Sequence, residues 1–159
     1  QPAPAESGDA TGESAGEVTA AVPDQKIVVL LIVEPSGKAI AGRKIHDALR
    51  DQGLEFGERE IYHRMSATDP VFSVAGLLKP GTLDPQQADQ FSAPGLSVFM
   101  VLPGPVPPQT ALRDMVETAR RIAAKLEARV FNSDKQPLEN EALSALGDDV
   151  KTWAEAKGL

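Results

Sequence analysis

Seven consecutive apolar residues, Ile27 to Val33 in the stretch IVVLLIVEP, interrupt a chain that otherwise mixes polar and apolar positions at short intervals. A strand with one wet face alternates the two, so an unbroken run requires a cover on each side. The run is far shorter than the ~20 residues a helix needs to cross a bilayer. Downstream, GKAIAGRKIHDALRDQG sets Ile40, Ile45, Ala48 and Leu49 at helical spacing and closes on Gly53, a natural residue just past a helix end. EFGEREIYHRM predicts a strand kinked early at Gly57, SATDP a turn, and VFSVAGLL a second, mostly apolar strand. In TLDPQQADQF, Asp84 ahead of Pro85 predicts a capped short helical turn before the strand LSVFMVLP.

The longest helix is predicted from Pro108. There Leu112, Met115, Val116, Ala119, Ile122, Ala123 and Leu126 recur at three and four, opposite Arg113, Glu117, Arg120, Arg121 and Lys125. A short strand at ARVF follows, and Pro137 opens a last helix that turns Leu138, Ala142, Leu146, Val150 and Trp153 inward. The order β-α-β-β-β-α-β-α, with short links between the middle strands, predicts an α+β domain whose helices pack on one face of an antiparallel sheet. Period-two sorting then separates the strand residues. If Val28, Leu30 and Ile32 meet the helices, Ile27, Val29 and Leu31 face away, as do Ala75 with Leu77 and Ser97 with Phe99 and Val101. An apolar patch built from several strands on the far face marks a binding surface.

Composition narrows the classes. A chain of 159 residues, 42% apolar and 25% charged, suits one globular domain. A net charge of −7 argues against a nucleic-acid partner, because neutralising phosphates takes clustered Lys and Arg. Without cysteine there is no disulfide framework and no thiolate site. Residues 1–23, QPAPAESGDATGESAGEVTAAVP, contain no Lys, Arg or aromatic residue and read as a flexible acidic linker ahead of a domain over 24–159.

Candidate chemistry is sparse. His46 falls on the first helix and His63 in a strand, at no metal-ligand spacing, and both read as structural. No metal site, cofactor motif, nucleophile elbow or P-loop is found. Glu58 and Glu60 form a same-face strand pair of the kind that decorates a solvated edge; an enzyme using His63 and Glu60 would need a closed pocket. The split β-α-β outline also suits an RNA-recognition module, the alternative reading, but that use needs stacking aromatics with basic flanks, and Phe99 alone does not supply them.

FGEREIYHR, VFSVAGLLKPGTLDP and FSAPGLSVFMVLP, in that order, resemble successive motifs of the C-terminal domain of the ZipA family, bacterial cell-division proteins that bind the tubulin-like FtsZ. The resemblance runs from about residue 26 to the end and is strongest between Phe56 and Pro103. It implies a six-stranded antiparallel sheet with three helices on one face and, on the other, a shallow apolar groove for the C-terminal tail of FtsZ. The implied peptide-binding positions are Ile27, Val29, Leu31, Arg59, Ile61, Ala75, Leu77, Lys79, Ser97 and Phe99, and Val101 joins them by strand parity. The resemblance implies a non-enzymatic adaptor without cofactor, monomeric as an isolated domain. It would work at the cytoplasmic face of the inner membrane at the division site, through an N-terminal anchor outside this chain. Arg59 departs from the pattern, since family members carry an apolar residue there, typically Met. Its stem can lie along Ile61 while the guanidinium meets an acidic residue of the tail.

Overall fold

The computed structural model describes residues 23–159. Apart from Pro23, the predicted linker lies outside the described residues. The apolar run forms β1 (Lys26–Val33), which is followed by the two-residue β2 (Ile40–Ala41) and helix α1 (Gly42–Asp51). Then come β3 (Glu55–Phe56), a 3-10 turn (Glu58–Glu60), β4 (Tyr62–Ser66) and β5 (Asp69–Gly76). A second 3-10 turn (Pro85–Gln90) leads into β6 (Ser92–Ala93) and β7 (Gly95–Leu102). Helix α2 (Pro108–Leu126), β8 (Arg129–Asn132) and helix α3 (Asn140–Ala156) complete the fold.

Six strands form one sheet in the order β3-β4-β5-β7-β1-β8, every neighbouring pair antiparallel, and β2 pairs with β6 beside it. This is the α+β architecture expected from the order of elements. β1 is interior, between β7 and the edge strand β8, registered against β7 from Lys26↔Leu102 to Val33↔Gly95 and against β8 from Leu30↔Asn132 to Val33↔Arg129.

The core lies between one face of this sheet and the helices. Val28, Leu30 and Ile32 of β1, with Leu96, Val98 and Met100 of β7, are buried against Met115, Ala119 and Ile122 of α2. Trp153 of α3 joins the same cluster, and its indole N–H donates to the Pro23 carbonyl at 2.9 Å, which ties the entry of the chain to the last helix. Arg64 braces β4 from the helical side: it donates to the Gln52 carbonyl at 2.7 Å, to Asp114 at 3.0 Å and to Thr118 at 3.0 Å.

Three expectations are corrected. Ile40 pairs with Ala93 instead of opening α1, which starts at Gly42, where a Cβ would come within 2.4 Å of the Ala88 carbonyl oxygen. α3 begins three residues after Pro137, because Pro137 is held extended in a bridge to Phe131 and Leu138 N–H donates to the Val130 carbonyl at 2.9 Å. EFGEREIYHRM is not one kinked strand: Arg59 and Glu60 take φ of 61° and 59°, so the backbone leaves the sheet after Phe56 and rejoins it at Tyr62. Glu58 and Glu60 therefore belong to a turn and are not a strand pair.

Candidate functional site

The sheet face turned away from the helices is assembled in cross-strand rows. Ile27 stands opposite Val101; Val29 opposite Phe99, which in turn faces Ser73; and Leu31 opposite Ser97, which faces Ala75. Directly opposed residues of antiparallel strands share a face, so these rows form one surface. Ile27 is 64% exposed and Val101 42% exposed, while Val29, Leu31, Ala75, Ser97 and Phe99 are half-buried and outside the helix-side core. Leu77 follows β5 immediately and prolongs its pairing through N–H donation to the Gly95 carbonyl at 3.1 Å. Leu78, beside it, is 63% exposed. Lys79 is exposed in the loop that Gly76 and Gly81 close with a 2.7 Å backbone bond.

Arg59 reaches this face from the turn, not from a strand, and its guanidinium carbon lies 5.7 Å from the centre of the Phe99 ring. That is within cation–π range. Ile61 occupies the bend between turn and β4 and is only 5% exposed, so it does not stand open on the face as the implied pattern had it. A concavity of about 380 Å³ lies between Arg59, Val71, Ser73, Phe99, Val101 and Pro103.

Beneath Arg59, His63 and Ser73 continue the Phe99 row. His63 Nε2 lies 3.0 Å from the Glu58 carbonyl, which can only accept, so in the neutral ring Nε2–H donates there and Nδ1 accepts a hydrogen bond from the Ser73 hydroxyl at 2.6 Å. Both ring nitrogens are thus committed to holding the turn. His46 is on the helical side, 1% exposed, with Nδ1 2.7 Å from the Tyr62 hydroxyl and Nε2 without a hydrogen-bond partner among the described residues. Burial lowers the His46 pKa and raises that of Tyr62, which keeps the pair neutral. Among the described residues, no three His, Asp or Glu side chains gather to hold a metal ion, and no helix is long and apolar enough to cross a membrane.

Sequence reasoning missed Phe131, which stands opposite Leu31 and extends the open face onto β8, half-buried. Its only signal was the parity of a four-residue strand whose register depends on β1.

The class is now defined: a two-layer α+β domain whose described helices lie on one side of a six-stranded antiparallel sheet, the other side carrying Ile27, Val29, Leu31, Phe99 and Val101 with Ser73 and Ser97 between them. The family model described as "ZipA, C-terminal FtsZ-binding domain" matches residues 26–148. The chain belongs to this family of cell-division proteins. Among named relatives, the Azotobacter vinelandii cell division protein ZipA is 32% identical over 76% of this chain and 44% of its own length. That of Marinobacter nauticus is 39% identical over 64% of this chain and 31% of its own. The Xanthomonas euvesicatoria protein is 28% identical over 80% and 54%. The chain thus spans about half or less of the relatives it matches.

Proposed function

We propose that this domain is a non-enzymatic adaptor of cell division that takes the C-terminal tail of FtsZ in a shallow apolar groove on its open sheet face. The observation that carries the reading is the set of rows Ile27–Val101, Val29–Phe99 and Leu31–Ser97–Ala75, a surface rich in apolar side chains that the helices among the described residues do not cover. The description of the family supports FtsZ as the partner.

The binding strength follows from the surface. A flexible tail that orders on an open face spends much of its contact energy on that ordering, so a single contact is micromolar. Many tails on one polymer meeting many membrane-tethered domains raise the effective concentration of each further contact. The adaptor thereby holds FtsZ polymers at the cytoplasmic face of the inner membrane, through an anchor upstream of these residues.

The test is a titration of the isotope-labelled chain with the FtsZ C-terminal peptide of the same organism, followed by backbone amide NMR. Shifts concentrated at Ile27–Leu31, Ala75–Lys79 and Ser97–Val101 are expected. An unchanged spectrum at millimolar peptide overturns the reading.

A further inference from the structure

The turn that carries Arg59 is held in a conformation L-residues seldom adopt. Arg59 and Glu60 are consecutive non-glycine residues at φ of 61° and 59°, a strained arrangement that persists only when its surroundings impose it. Here they do. Glu60 N–H donates to the Gly57 carbonyl at 3.0 Å, Gly57 N–H to the Ile61 carbonyl at 3.0 Å and Leu83 N–H to the Glu60 carbonyl at 2.8 Å. His63 Nε2–H fastens the Glu58 carbonyl from below at 3.0 Å. The outcome of this bracing is that an arginine side chain lies over the aromatic ring at the centre of the open face.

The charges bordering this face are mixed: Glu55 stands in the Phe99 row, opposite His63, and cations stand at both ends of the strands. The chain carries −7 overall, yet Arg59, Lys79 and Arg129 border the apolar rows, and none of the three makes an ion pair among the described residues. Glu58 and Glu60 flank Arg59 in the turn and Asp69 lines the adjoining concavity, but none of them pairs with its guanidinium. A guanidinium in cation–π range of a ring still carries its N–H donors, and their fork matches a carboxylate.

We infer that Arg59 is a specificity-determining residue: seated on Phe99, it receives a carboxylate of the docked peptide, so the face selects an apolar segment with an acidic side chain set beside its central anchor. The inference rests on the docking reading above. It adds a requirement that an uncharged residue at position 59 would not impose, and the strained turn supplies the aim.

The test is a thermodynamic cycle on the full chain by calorimetric titration. Wild type and Arg59→Met each meet two peptides: the FtsZ C-terminal peptide, and the same peptide with every Asp and Glu changed to Asn and Gln and its terminus amidated. Wild type is expected to lose about fivefold in affinity on removal of the carboxylates, the scale of a solvent-exposed charge pair, and Arg59→Met to lose less than about twofold. Arg59→Gln repeats the comparison should the Met variant fold poorly. Equal losses in wild type and variant overturn the role of Arg59 while leaving docking intact. Absence of binding by every chain to both peptides overturns docking and this inference together.

Discussion

Phe99 and His46 show how differently two partly aromatic, partly polar positions behave on the two faces of one sheet. The Phe99 ring is half-buried under Arg59 and outside the helix-side core, so its truncation leaves the core intact. Phe99→Ala is expected to weaken tail binding by about 1–3 kcal/mol, the range of a central anchor, while stability falls by less than about 1 kcal/mol. Calorimetric titration beside a thermal melt decides the matter, and a large drop in midpoint with unchanged affinity would remove Phe99 from the site. His46 lies in the core with its pKa lowered from 6.5 by burial. The unfolded chain therefore takes up this proton first as pH falls, and stability is expected to decline below about pH 6.5 and to level above about pH 7.5. In His46→Leu that part of the slope should vanish from urea midpoints measured across this range; an unaltered slope would show that His46 does not cause it.

The ends of the two amphipathic helices α1 and α2 differ in a way that shows what the sequence discloses about elements. Gly53, at φ 76° just past α1, was readable as a helix stop because glycine adopts the left-handed region without strain. Glu127 takes the same kind of position after α2 at φ 56°, and nothing in its chemistry announces it. Glu127→Gly is expected to raise stability by about 0.5 kcal/mol, the relief of left-handed strain less the extra freedom of glycine in the unfolded chain. The Lys44–Glu127 pair at 3.9 Å is exposed and adds little against this. A fall in the denaturation midpoint would contradict the strain argument. The same gap in the signal explains the misplaced turn. Alternation carried β1, β5 and β7 correctly, and with them the face of Ile27, Val29, Leu31, Ala75, Ser97 and Phe99. It could not show that Arg59 and Glu60 would turn left-handed, because hydrogen bonds from residues as distant as Leu83 hold them there. Periodicity reports which side of an element is apolar; it carries no record of bonds made across the chain.

The molecule as a whole is acidic, with a net charge of −7. Single-stranded RNA is expected to find no purchase, and filter retention at low salt is the direct measure. Retention that falls steeply with added salt would favour nucleic acid over peptide on the sheet. β1 is an interior strand next to the edge, with eight register pairs to β7 and four to the edge strand β8, and the chain reaches it only after the Trp153–Pro23 hydrogen bond and the Lys157–Asp24 pair have fixed it to α3 and its C-cap. This makes the entry of the chain a mechanical element. A pull on the residues ahead of Lys26 is met first by those two contacts on α3, which can yield without disturbing the sheet. Tension that passes them travels lengthwise into β1, where the rungs on both flanks resist it together and not one after another. A domain held between a polymer and an anchor would thus carry its load along the same strand whose other side lies in the proposed groove.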